Sequence, residues 1–257
     1  MFRFEFELRP VLDVPAWGGD KPTLHWFGLT SGWFWMSAPS CEFLRYTDDA
    51  VGRWDLERPY PDYYVARLWE DLNGLRWALQ EPVPEDLIPL VDGTFVSREF
   101  PDDDFGDDVD AVFEVQSDYS LDLGYLTDSP YVSCWRHVAD GADLVTFRQQ
   151  VAPARLSTFE GPARLDATVP AVEFFAAIED FDRRFIAAME DRVTALESSG
   201  PPPDIDLDVR QLRAEHTNRS GWLGQRLATP HVVDWAKVRV GAAELRTWPP
   251  LPQPDNG

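Results

Sequence analysis

Hydrophobic and polar positions alternate at the start of the chain. Phe2, Phe4, Phe6 and Leu8 fall on one face of an extended segment, with Arg3, Glu5 and Glu7 on the other, which predicts a half-buried strand. A loop follows over 10–22, punctuated by Gly18-Gly19-Asp20. Two aromatic-rich runs, 24–29 and 33–36, flank Thr30-Ser31-Gly32 and read as a β-hairpin. With a third strand at 43–46, residues 1–47 are expected to form an antiparallel sheet.

The period then changes. Tyr64, Val65, Leu68, Leu72, Leu75 and Leu79 recur at helical steps over 61–80, with Pro61-Asp62 as a start signal and Pro82 as a stop. A short helical turn is expected at 85–90. Strands are expected at 112–115, 131–136, 144–148 and 163–168, and Asp140-Gly141 is the turn between the middle pair. The strongest helical pattern covers 170–198. Phe174, Ile178, Phe181, Phe185, Ala188, Arg192 and Leu196 form a near-heptad stripe interrupted only by Arg192. Thr168 is its expected cap, Pro170 lies near its first turn, and Gly200 ends it before the spacer Pro201-Pro202-Pro203. Further helices are expected over 207–228, where Val209, Leu212 and His216 share a face, and over 233–245, before an extended or disordered proline-rich tail at 249–254. No internal repeat is visible. The order of elements gives an α+β fold: an antiparallel sheet, a long amphipathic helix and further helices in the C-terminal part. The expected organisation is an acidic α+β domain over 1–200, with a helical extension over 201–257 packing on it.

Composition adds one departure from the ordinary. The chain has 257 residues, 44% of them apolar, with 11 tryptophans and 16 phenylalanines, enough for a full core without staples. Its 45 acidic and 23 basic side chains give a formal net charge of −22, and Lys21 and Lys237 are the only lysines. Acidity as a solubility device and an arginine-favouring codon bias both suit these numbers. The sign disfavours nucleic acid, whose binders need basic patches, and anionic membrane surfaces. It favours a basic partner: a cationic protein, a metal ion, or a surface that ordinarily holds nucleic acid. Cys41 and Cys134 make no disulfide framework. No leader pattern and no membrane-length apolar run is present, so the cytoplasm is the expected location.

The charge is uneven. Residues 101–150 carry 12 acidic and 2 basic side chains, whereas 201–257 carry 7 of each. Within 102–110 six carboxylates crowd into nine residues: Asp102, Asp103, Asp104, Asp107, Asp108 and Asp110. A calcium helix-loop-helix motif is excluded by spacing, because Gly106 follows Asp104 by only two residues and position 112 is Val. A solvated loop and an acidic docking surface for a basic protein remain. In the second case Phe105 and Val109 are the apolar anchors among the charges.

Signals for catalysis are missing. His25, His137, His216 and His231 have no metal-ligand spacing, and no nucleophile elbow, phosphate loop or dinucleotide fingerprint occurs. Cys134 and His137, three apart on one strand, face opposite sides. His25 is expected to pack rather than to act as an acid or base. Trp26, Trp33 and Trp35 suit a core, with a sugar or ligand site as the alternative. No cofactor and no resident metal are expected.

Three stretches, residues 3–10, 24–33 and 43–46, resemble an uncharacterised family of small intracellular proteins from GC-rich bacteria, a domain of unknown function. That resemblance implies no activity and transfers no functional residue. The acidity, the long amphipathic helix and the missing catalytic set also resemble acidic bacterial immunity proteins, which neutralise basic toxins. The leading expectation is therefore a non-enzymatic binding protein, an immunity-type inhibitor of a basic toxin or nuclease. Asp102, Asp103, Asp104, Phe105, Asp107, Asp108 and Asp110 would be its partner-binding residues. The alternative is an enzyme or small-ligand binder using a cleft between the aromatic sheet and the C-terminal helices. A third is an assembly subunit docking through the helix at 170–198.

Overall fold

The computed structural model describes residues 1–18, 20–101 and 106–251. Strand β1 (Arg3–Leu8) pairs antiparallel with β2 (Ser31–Ala38), placing Phe4 opposite Met36 and Phe6 opposite Phe34. Phe2 and Phe4 are fully buried, and Phe6 and Leu8 pack half-buried against the same core, as the alternation requires. The other edge of β2 takes β3 (Cys41–Phe43) at one end and β4 (Asp62–Tyr64) at the other. Helix α1 (Asp48–Trp54) lies between them, its first turn held by Thr47 Oγ1 accepting from the Ala50 amide at 3.2 Å.

Helix α2 (Val65–Ala78) follows β4 directly, and a short α3 (Ile88–Val91) precedes α4 (Asp107–Asp118). A second antiparallel sheet then runs in the order β5 (Ser120–Leu121), β6 (Tyr131–Ala139), β7 (Ala142–Gln150) and β8 (Arg164–Pro170). Asp140 and Gly141 both take positive φ, 51° and 77°, the conformation of a two-residue hairpin turn matched to strand twist. The chain closes with α5 (Ala171–Ser199), α6 (Val209–Arg219), α7 (Trp222–Leu227) and α8 (Trp235–Leu245). The fold is α+β.

The two sheets and α5 share one aromatic core. Phe2 of the first sheet lies 5.3 Å from Phe147 of the second and 5.1 Å from Phe174 of α5, ring centre to centre. Phe43 meets Phe147 edge-on at 4.9 Å, and Phe181 reaches Phe6 at 5.4 Å. Such tilted and edge contacts add to the gain from burial alone. Leu212, Val238, Ala242 and Leu245 from the last helices belong to the same contiguous core.

Several expectations are corrected. Residues 24–29 form no strand; the partner of β2 is β1. The segment is locked instead by local bonds: His25 Nδ1 accepts from the Gly28 amide at 3.2 Å, and Thr30 Oγ1 donates to the Phe27 carbonyl at 2.7 Å. Gly32 is not in a turn but in β2, where a Cβ would lie 2.2 Å from the Glu7 carbonyl oxygen, so the strand pairing itself demands glycine. Residues 112–115 are helical, because Val109, Val112 and Val115 bury at three-residue steps. Helix α2 starts at Val65 because Asp62–Tyr64 is taken up by β2. The third strand stops at Phe43, since Leu44 turns the chain at φ 62°. Thr168 does not cap α5; its hydroxyl pairs with Thr146 across the sheet at 2.8 Å, and Pro170 holds the cap position. The expected helix at 207–228 breaks into α6 and α7 at Ser220-Gly221. Of the tail, Leu251 is tied to the Ser97 carbonyl at 2.9 Å, and 252–257 lie outside the described residues.

Arg192 explains its own interruption of the α5 stripe. Its guanidinium donates to the Leu29 carbonyl at 2.5 Å and to the Arg9 carbonyl, stapling α5 to both ends of the loop between β1 and β2. Burial pulls its pKa down to about 10. Arg192→Met keeps most of the apolar stem but removes both bonds. It is expected to lower unfolding free energy by about 2 kcal/mol, read as a lower urea midpoint at unchanged slope.

Candidate functional site

Helix α2 turns Glu70, Asn73, Gly74 and Trp77 towards Trp222, Gln225, Arg226 and Thr229 of α7 and the turn after it. Between them lies a cleft of about 690 Å³. That volume falls within the range of small-molecule sites. Trp222 stacks on Trp69 of α2 at 5.4 Å and 20°, which holds the two helices in register. Arg219, at the end of α6, bonds Glu70 at 2.7 Å and lies 4.5 Å over the rings of both Trp26 and Trp222. The other end is closed by Trp77. Its indole N–H donates to the Thr229 carbonyl at 2.8 Å, Arg226 lies 4.0 Å over its ring, and His231 meets it at 4.1 Å. His231 pairs in turn with Asp118 of α4 at 3.3 Å.

The floor of this cleft is unusual in two respects. Asn73 is 7% exposed, yet its Nδ2 has no hydrogen-bond partner. An unmet buried donor costs about 1–3 kcal/mol. Beside it sits Gly74, mid-helix, where a Cβ would meet nothing within 4 Å. Close packing therefore does not require the glycine; its effect is to widen the cleft. The lining contains no histidine, cysteine or serine among the described residues. What it offers is a pair of half-buried indoles, three amide or guanidinium donors and a carboxylate that Arg219 already neutralises.

The four histidines lie elsewhere or behind this surface. His25 stacks edge-on against Trp17 at 4.9 Å. His137 bonds Thr146 at 3.0 Å, and burial lowers its pKa. His216 takes the Trp26 indole N–H on Nδ1 at 3.3 Å; since indole only donates, Nε2 carries the proton and donates to Glu190 at 3.0 Å. Burial lowers the His216 pKa too, with the Glu190 carboxylate opposing that shift. Cys134 is fully buried, which pushes its thiol pKa well up, and Cys41 is half-buried; both are free. On the flank of α2 beside the cleft, burial raises the Asp71 carboxyl to about 7, with Oδ2 unpartnered, as is the hydroxyl of Tyr125. Among the described residues no group of three or more His, Cys, Asp or Glu is placed to hold a metal ion, and no helix is long and apolar enough to cross a membrane.

Of the residues expected to bind a partner, Asp102, Asp103, Asp104 and Phe105 lie outside the described residues. Asp107, Asp108 and Asp110 form the first turn of α4, where the helix dipole favours negative charge. Asp107 and Asp110 are exposed, in line with Glu114, and none of the three has an ion-pair partner among the described residues. Asp108 is half-buried because α8 crosses it: a Cβ on Gly241 would fall 1.9 Å from the Asp108 carbonyl oxygen. Val109 is fully buried in the core, so it is not a surface anchor. Of the three tryptophans expected to suit a core, Trp26 and Trp33 are buried, and Trp35 is half-buried, stacked on Tyr60 at 4.3 Å. The cleft residues Asn73, Gly74, Trp77, Trp222 and Arg226 went unremarked in the sequence. The legible hint was Gly74, a glycine inside an otherwise continuous helical stripe.

Gly74→Ala is expected to raise stability by about 0.5–1 kcal/mol, because helix propensity improves and the methyl meets empty space. A thermal melt of the two proteins checks it; a lower melting temperature for Gly74→Ala would mean the position is packed.

No curated protein and no solved structure matches the chain. Residues 3–241 match a family of unknown function, DUF5984. That span includes both sheets, α5 and every residue of the cleft, and the chain belongs to this family of unknown function.

Proposed function

We propose that the protein acts by binding rather than by catalysis, and that the cleft between α2 and α7 receives a small ligand. The observation that carries this reading is the floor: Gly74 withholds a side chain where one would fit, beside the buried, unpartnered amide of Asn73. That nitrogen is shielded in the unliganded chain, so a ligand acceptor reaches it as the Asn73 side chain turns into the cleft, which relieves a cost the free protein bears alone. The lining also lacks the paired nucleophile and base that covalent or acid–base chemistry requires.

Saturation-transfer NMR with a panel of aromatic acids, aromatic amines, aromatic amides and monosaccharides tests the site. Compounds that bind the wild type are expected to lose their signal with Gly74→Phe, which fills the cleft. Hits that all persist in that variant would move the site elsewhere.

A second reading keeps the acidic segment as a docking face for a cationic protein, of the kind an immunity-type inhibitor offers a basic toxin or nuclease. It is favoured by the unopposed carboxylates of Asp107, Asp110 and Glu114 on a helix that carries no basic residue. Electrostatic steering should then make association fall steeply with salt. Asp107→Asn, Asp110→Asn and Glu114→Gln together should slow it about tenfold at low ionic strength. Stopped-flow rates indifferent to both salt and these changes would remove this reading.

A further inference from the structure

We infer that the ligand of the cleft is a small organic acid with a flat apolar ring, its carboxylate set against Arg226 and Asn73. The inference rests on the reading of the cleft as a ligand site and adds the chemistry of the occupant.

The argument begins from how the chain uses its cations. In a protein of net charge −22, the arginines around this region are engaged by its own carboxylates. Arg67 pairs with Asp122, Arg76 with Glu179, Arg219 with Glu70 and Arg239 with Asp86. Arg226 departs from this pattern. It is exposed on the cleft rim, 4.0 Å over the Trp77 ring, and no carboxylate lies within 4.0 Å of it among the described residues. A guanidinium laid on an indole keeps its N–H edge free, and that edge matches a carboxylate in two parallel bonds.

The remaining polar groups point the same way. Asn73 supplies an unmet donor at the floor, and Gln225 an amide at the rim. The indole N–H groups of Trp77 and Trp222 are already given to the Thr229 carbonyl and the Asn218 side chain, so these residues contribute ring surface rather than donors. Glu70 is the one acidic group in the lining. Arg219 at 2.7 Å and Arg67 at 4.0 Å neutralise it, which leaves Arg226 to set the sign of the site. A cationic ligand would meet Arg226 with no free carboxylate to offset it.

Indole-3-acetate, indole-3-acetamide and tryptamine share a ring and differ in charge, so they separate the possibilities. Titration calorimetry on the full chain should show indole-3-acetate binding at least about tenfold more tightly than the other two. Arg226→Gln, an exposed change, should abolish that preference while lowering the melting temperature only slightly, through loss of the contact with Trp77. Gly74→Phe should block all binding. Should that variant melt early, Gln225→Trp, which obstructs the cleft from the exposed rim, replaces it. Equal binding of the three probes, blocked by the filled cleft, overturns the anion preference and leaves the ligand site standing. Indole-3-acetate binding that survives both obstructing variants overturns the site itself. Failure of all three probes to bind the wild type overturns this inference.

Discussion

The contact on which this architecture turns is the meeting of Phe2, Phe4, Phe43, Phe147, Phe174 and Phe181. Two separate antiparallel sheets and the longest helix each bring an apolar face that none can bury alone. Ring centres 4.9–6.3 Å apart close those faces on one another. Once α5 is fixed there, its length carries the consequences outward. Phe185 receives Trp26 at 5.9 Å and Trp69 at 5.6 Å, and Trp69 receives Trp222. The aromatic chain thus runs from the shared core to the wall of the cleft, so the position of α7 follows from packing that began at β1.

Charge is handled by geometry more than by number. Arg148 is 4% exposed, yet it donates to both oxygens of Asp166 at 2.8 and 2.9 Å and to the Asp92 carbonyl at 2.6 Å, with Trp135 beneath it at 4.7 Å. Such a planar, many-pronged contact is outside the reach of an ammonium group. The same holds for Arg136 on Asp143 and Arg239 on Asp86, each a paired contact. The scarcity of lysine therefore has a structural use in this chain: its few cations tie elements together as well as offsetting charge.

Patterns that depend on one element alone were legible in the sequence. The 170–198 stripe, the alternation of 2–8 and the Asp140-Gly141 hairpin each state their conformation through spacing and turn chemistry. Patterns that depend on a distant partner were not. An aromatic run such as 24–29 becomes a strand only if an edge is free, and β1 had already taken β2. Val112 to Val115 favours extended backbone by residue type, but burial against α8 overrode it. The cleft was the least legible of all, since Glu70 and Arg219, which brace it, are 149 residues apart. Its ingredients are ordinary until the fold brings them together.

The crossing of α8 over α4 has an entropic meaning. At Gly241 the two helices approach backbone to backbone, with no side chain between them to rotate or yield. The carboxylates of Asp107 and Asp110 are thereby carried on a support whose spacing from the body cannot be retuned by repacking. A molecule that approaches this end of α4 meets a backbone already set in place, so association there orders only the exposed carboxylate side chains on the protein's side.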